Sequence, residues 1–167
     1  KGITNIDNKN YFLGELTGKL WKNDWVTALN GDKYYTDENG IVQTGIISID
    51  NKKYFLGELS GKLWKGWVTA LNGNIYHTNE EGIIETGLQQ IDGKPYIFNE
   101  DGVLQSGWQT INNEKYYFFP DSSRAMGIQK IAGKRYLFSN TGVCLKENVK
   151  LWIDVSHHND ITSWDDL

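Results

Sequence analysis

The chain has 167 residues, 7 of them Trp and 9 Tyr, on a mean hydropathy of −0.52. Many rings in a polar background exclude one large aliphatic core and favour rings spent on recognition or on many small cores. Residues 1–146 hold 16 basic and 16 acidic side chains, so the net charge of −4 sits wholly in residues 147–167. No basic stripe follows a phosphate backbone, which argues against nucleic acid as a partner.

Cys144 is the only cysteine, so an internal disulfide is impossible. No apolar run approaches the ~20 residues that span a bilayer. The chain opens at Lys1 without a secretory signal, as a mature or excised piece would, and export stays compatible with that.

In chain order, residues 1–44 and 44–86 are near copies, and each is itself double. Boundary glycines at Gly45, Gly66, Gly87, Gly107 and Gly127 are spaced by 21, 21, 20 and 20 residues. Asp24 takes the boundary place before Trp25, and Gly2 opens the first unit. Seven units result, at roughly 2–23, 24–44, 45–65, 66–86, 87–106, 107–126 and 127–146.

Each unit reads as a β-hairpin. An alternating stretch such as Gln109, Thr110 and Ile111 meets a turn, and an aromatic strand such as Tyr116, Tyr117 and Phe118 follows. Asn30 with Gly31, Asn72 with Gly73, Asp92 with Gly93, and Asn112 with Asn113 suit type I′ turns. A second turn closes each unit, at Gly40, Gly82, Gly102 and Gly142 among others. A lone hairpin cannot bury its rings, but stacked neighbours can. The expected fold is therefore all-β, a solenoid of about seven tandem hairpins, with no helix before the tail.

The pattern Gly-Trp, seven or eight residues, Tyr-Tyr, a loop Gly and then the next Gly-Trp or Gly-Ile resembles the cell-wall-binding repeats of Gram-positive bacteria, also called choline-binding repeats. It resembles glucan-binding and clostridial toxin repeats too. The resemblance covers residues 1–146 and implies aromatic cages that hold the quaternary ammonium of teichoic-acid choline, two rings from one hairpin and one from the next. A trimethylammonium has no proton to donate, so ring faces are its natural partners, at roughly 0.5–2 kcal/mol per contact. Several weak sites gain avidity on a polymeric wall.

Only alternate units carry the boundary Trp, at Trp25, Trp67 and Trp108, whereas Ile3, Ile46, Leu88 and Ile128 replace it in the others. Three sites are therefore expected. They are Trp25 with Tyr34 and Tyr54, Trp67 with Tyr76 and Tyr96, and Trp108 with Tyr116 and Tyr136. Trp21 and Trp64 line the first two or belong to neighbouring junctions. Tyr11, Tyr54, Tyr96 and Tyr136, with Phe12, Phe55, Phe98 and Phe138, read more readily as inter-hairpin core than as cage. The family's Trp before the Tyr pair is replaced by Lys33, Ile75 or Lys115, which leaves room for sugar stacking. Residues 82–107 look closer to clostridial toxin repeats, which resemble carbohydrate binders.

The repeat ends near residue 146. Residues 151–155 read as a buried strand, and the string IDVSHHNDITSW resembles the opening of glycoside hydrolase family 25, the bacterial and phage lysozymes (muramidases). That resemblance implies Asp154 as an active-site carboxylate in the intact parent. Glycoside hydrolysis needs a second carboxyl group, and a barrel needs ~200 residues or more. The domains are then a wall-binding repeat at 1–146 and the start of a truncated lysozyme-type domain at 147–167, a fragment without hydrolase activity of its own. His157 and His158 diverge as neighbours and offer no third metal ligand. No cofactor is expected.

Four functions stay open on the sequence. They are a targeting module that anchors a lysozyme to choline-bearing wall polymer, a carbohydrate-binding array, a spacer that binds nothing, and part of a peptidoglycan hydrolase. The expected setting is secreted and wall-associated or phage-delivered, with self-association through bare solenoid ends.

Overall fold

The computed structural model describes residues 2–150. The expected strand at 151–155, Asp154, His157 and His158 lie outside the described residues. Seven antiparallel hairpins follow one another. They are β1 (Gly2–Ile6) with β2 (Lys9–Leu13), β3 (Asp24–Thr27) with β4 (Lys33–Thr36), and β5 (Gly45–Ile49) with β6 (Lys52–Leu56). Next come β7 (Gly66–Thr69) with β8 (Ile75–Thr78), and β9 (Gly87–Ile91) with β10 (Lys94–Phe98). The last are β11 (Gly107–Ile111) with β12 (Glu114–Phe118), and β13 (Gly127–Ile131) with β14 (Lys134–Phe138). A final strand, β15 (Cys144–Glu147), adds to β14. No helix occurs among the described residues, and the all-β tandem-hairpin fold stands.

Two turn types alternate through the first part of the chain. Asp7 with Asn8, Asp50 with Asn51, Asp92 with Gly93, Asn112 with Asn113, and Ala132 with Gly133 all have φ > 0 at both positions, which is the type I′ signature. The turns at Asn30 and Asn72 depart from that expectation. Only Gly31 (φ 86°) and Gly73 (φ 85°) are left-handed there. The Gly31 amide donates to the Ala28 carbonyl, the Ala28 amide to the Asp32 carbonyl, and the Asp32 amide to the Asn30 side chain. That is a three-residue loop with a bulge at glycine. The reason is local: the Asn side chain supplies an acceptor two residues on, so the left-handed burden falls on glycine alone.

The chain divides into two compact units. Among the described residues, one comprises 2–89 and 98–104, the other 90–97 and 105–150. In the first, each hairpin's closing segment docks on the second strand of the hairpin before it. The Val42 amide bonds the Asn10 carbonyl at 2.7 Å, Leu63 bonds Lys33 at 2.8 Å, and Ile84 bonds Lys53 at 2.8 Å. Each small core is accordingly shared between neighbours. Phe12, Val26, Tyr34 and Val42 form one, and Phe55, Val68, Ala70, Tyr76 and Ile84 form its copy. In the second unit the core is Ala125, Ile131, Tyr136 and Phe138, with Tyr117, Phe119 and Cys144 packed against it. Desolvation pushes the Cys144 thiol pKa upward, as suits a small packed hydrophobe. The repeat pairing runs on to Glu147, and Val149 is buried with its amide on the Arg135 carbonyl.

The phenylalanines expected in the inter-hairpin core are there. Phe12, Phe55, Phe98 and Phe138 are each 2% exposed.

Candidate functional site

Strand register decides which rings meet. Side chains alternate faces along a strand, so a boundary Trp shares its face with the residue directly across the hairpin. Trp25 pairs with Tyr35, Trp67 with His77, and Trp108 with Tyr117. Their neighbours Val26 and Tyr34, like Val68 and Tyr76, pair on the opposite face and enter the cores.

The expected groupings therefore change by one residue. Tyr34 is buried against Phe12 with ring centroids 5.8 Å apart, and desolvation raises its phenol pKa. Tyr76 packs on Phe55 at 5.6 Å. Tyr116 lies across from Gln109, and its hydroxyl donates to Glu114 at 2.8 Å, a bond that raises the phenol pKa. None of these three stands on the face of a boundary Trp. Tyr35, His77 and Tyr117 take their places.

At Trp25 the rings are Tyr35 from the same hairpin (5.3 Å) and Tyr54 from the next (5.0 Å), with interplanar angles of 65° and 67°. At Trp108 they are Tyr117 (5.2 Å, 69°) and Tyr136 from the next hairpin (4.8 Å, 61°), with Phe138 stacked at 5.9 Å. Rings set steeply to one another make the walls of a corner, and the indole of Trp108 is 39% exposed. Such a corner offers two π-faces to one small cation or one flat apolar face. Tyr136 is itself 8% exposed, so it serves the core and the corner together.

Trp67 differs. Its partner across the hairpin is His77 at 4.8 Å, whose Nδ1 lies 2.5 Å from the Glu85 carboxylate, and Phe98 tilts against it at 6.0 Å. Tyr96, expected at this site, lies half-buried on β10.

Trp21 and Trp64 come from a hook that only the first two-hairpin copies contain, residues 14–21 and 57–64. In the second, the Gly57 amide bonds the Lys62 carbonyl at 2.8 Å, and the Gly61 amide bonds the Gly57 carbonyl at 2.7 Å. Glu58 accepts the Leu71 amide at 2.6 Å, and Trp64 donates its indole N–H to the Trp67 carbonyl at 2.8 Å. The hook is thereby tied to the following hairpin. It leaves a groove of ≈ 290 Å³ among Glu58, Leu59, Trp64, Trp67 and Leu71. Leu59 and Leu71 are 83% and 74% exposed there, and Trp64 is 41% exposed. Glu58 is the one charged side chain on its lining.

No group of three or more metal-ligating side chains occurs among the described residues. No helix among them is long and apolar enough to cross a membrane.

Comparison with known proteins finds related repeats. The choline-binding repeat family model matches residues 85–126 and 105–148, and the putative cell wall binding repeat model matches residues 23–42. Among solved structures, CbpJ from Streptococcus pneumoniae TIGR4 superposes with a TM-score of 0.76 at 24% identity, over 86% of this chain and 52% of that one. Choline binding protein F from Streptococcus pneumoniae, solved in the presence of a peptidoglycan analogue, gives 0.77 at 23% identity, over 86% and 51%. The choline-binding domain of CbpL from Streptococcus pneumoniae gives 0.56 at 20% identity, over 86% of both chains. The chain thus spans about half the length of the first two structures. No curated protein sequence matches it. These matches share the hairpin fold, and the family models mark residues 23–42 as a putative cell wall binding repeat and residues 85–148 as choline-binding repeats.

Proposed function

We propose that the array holds choline-bearing wall polymer through aromatic corners at Trp25, Trp67 and Trp108, and that it tethers a peptidoglycan hydrolase of lysozyme type in its parent protein. The observation that carries the binding half is the repeated ring geometry. At Trp25 and at Trp108, two rings of one hairpin meet a Tyr of the next within 5.3 Å. A desolvated quaternary ammonium gains roughly 0.5–2 kcal/mol per ring, so one corner is weak and several on one chain act together on a polymer. Choline binding protein F was solved in the presence of a tetrasaccharide-pentapeptide peptidoglycan analogue, which accords with a wall ligand.

The hydrolase half rests on the sequence after the array. The string that contains Asp154 resembles the start of a lysozyme of glycoside hydrolase family 25, and Asp154 is its active-site carboxylate in this reading. Wall-binding repeats beside such an enzyme localise it on its insoluble substrate. The setting that follows is the cell wall, reached by secretion or by phage delivery.

A second reading, carbohydrate binding, is favoured by one observation. Lys33, Ile75 and Lys115 stand where the family's cage has another Trp, while Trp21 and Trp64 present exposed indoles on which a sugar face could stack. Titration with choline and with short wall glycans, followed by Trp fluorescence, separates the two. Saturable quenching by choline that is reduced in Trp108→Ala supports the corners as choline sites. Quenching by glycans alone, lost in Trp64→Ala, replaces that reading with carbohydrate binding. Silence to both ligands leaves the array as a spacer.

A further inference from the structure

A second pocket, which the aromatic reading does not use, includes Lys33 of β4, the strand that carries Tyr35. It measures ≈ 430 Å³ and is lined by Asp32, Lys33, Lys62, Trp64 and Lys65 with the Gly31 and Leu63 backbone. Three lysines against one aspartate give this lining a net charge of +2, in an array whose 16 basic and 16 acidic residues balance as a whole.

The lysines are not equivalently committed. Lys62 sits 2.5 Å from Asp32. Lys65 reaches Glu80 only at 4.0 Å, and that carboxylate is 99% exposed. Lys33 makes no ion pair among the described residues. It also stands on the face of Trp25 and Tyr35, because Thr27 pairs with Lys33 two places along the same ladder. It stands two residue steps from Tyr35 along the strand, about 7 Å.

The next copy of the repeat acts as an internal control. There Asn74 replaces Asp32, Ile75 replaces Lys33, and no hook brings lysines to the Leu104 segment that bonds the Ile75 carbonyl. The cationic lining is therefore not repeated at that next junction.

We propose that Lys33, Lys62 and Lys65 form an anion subsite that takes a phosphate ester of the wall polymer, next to the ring corner that takes its ammonium group. The ammonium half of that statement rests on the proposed choline reading; the anion half does not. Charge-assisted hydrogen bonds from lysines to phosphate oxygens supply the attraction, with Trp64 in the lining beside them. Asp32 holds Lys62 in place, which leaves Lys33 and Lys65 to meet the anion.

The test uses the whole chain at constant ionic strength. Inorganic phosphate is titrated while the backbone amide resonances of residues 31–33 and 62–65 are followed by NMR. Choline and phosphocholine are compared separately by calorimetry. The expected result is a saturable shift confined to those amides, and phosphocholine bound about tenfold more tightly than choline, both lost in Lys33→Gln/Lys65→Gln. Lys33→Ile serves as a second variant, since the next repeat folds with Ile75 at that place. A phosphate response spread evenly over the lysines of the array, or one that survives both variants, overturns the subsite. Confined phosphate shifts without any choline binding would support the subsite and remove the aromatic-corner reading alone.

Discussion

The two compact units solve the same packing problem with different connections. In the first, two-hairpin copies carry the hooks at 14–21 and 57–64, and hairpins with type I′ turns alternate with hairpins closed by a bulged glycine loop. In the second, the hairpins at 107–118 and 127–138 use type I′ turns, and short turns at Asp121 and Ser139 replace the hook. The ring corner survives this change: Trp25 with Tyr35 and Tyr54 in one unit is matched by Trp108 with Tyr117 and Tyr136 in the other. What the hook adds is surface. Trp64 and Leu59 belong to it, and it carries Lys62 into the lysine pocket. The lesson is that hairpin stacking specifies the corner, and the connections specify what surrounds it.

The largest test of that separation is in the cores. Phe55→Ala in the first unit and Phe138→Ala in the second each remove a ring that is 2% exposed, and each is expected to cost about 3–5 kcal/mol in denaturant unfolding. Equal losses would show that the cores are equivalent despite the hooks. A clearly smaller loss for Phe55→Ala would mean that the hook carries part of the stability assigned here to stacking.

Next is the closing turn. Gly40 has φ 82°, and a Cβ there would lie 2.7 Å from a Leu20 methyl and 2.8 Å from the Trp21 carbonyl of the hook. Gly31 has φ 86° with nothing nearby. Gly31→Ala should cost about 1–2 kcal/mol, the left-handed penalty alone, and Gly40→Ala distinctly more. Comparable thermal-melt shifts for the two would show that the hook yields to the extra methyl.

Site chemistry comes third. His77 occupies the place that Tyr35 and Tyr117 hold at the other corners, so His77→Tyr should bring the middle site up to its neighbours. The expected gain is about 0.5–1 kcal/mol, or roughly two- to five-fold in choline affinity by calorimetry. No gain would show that the identity of the ring across from Trp67 does not limit binding there.

The smallest effect is electrostatic. The hydrogen bond from Lys62 holds the Asp32 carboxyl below its ordinary pKa. A depressed folded-state pKa contributes stability that is present above the unfolded value, near pH 4, and lost as pH falls through the folded one. Wild type and Asp32→Asn should therefore differ slightly in melting temperature at neutral pH and converge in acid. Lys62 is half exposed and Asp32 partly so, and salt should therefore shrink the difference.

Much of this architecture was legible in advance, because a 20–21-residue glycine period with paired aromatics leaves little but tandem hairpins. The ring partners were less so, for a specific reason. A two-residue turn at Asn30 and Gly31 would set Trp25 opposite Thr36 and put Tyr34 on its face. The bulged loop shifts the ladder by one residue and brings Tyr35 there instead. A one-residue slip turns every side chain to the other face. At Trp108 the type I′ turn at Asn112 and Asn113 was foreseeable, and counting outward from it leads to Tyr117 rather than Tyr116.

The sequence alone determined the period, the all-β class, the three boundary tryptophans and the neutrality of the array, since these follow from residue type and spacing. Tertiary structure decided that Tyr35 meets Trp25 and His77 meets Trp67, because register depends on turn geometry that Asn and Gly leave open between two forms. It also decided where the lysines gather. Lys33 and Lys62 are 29 residues apart in the chain. They share a pocket only because the Leu63 amide bonds the Lys33 carbonyl and lays one hairpin's closing segment on the strand of another.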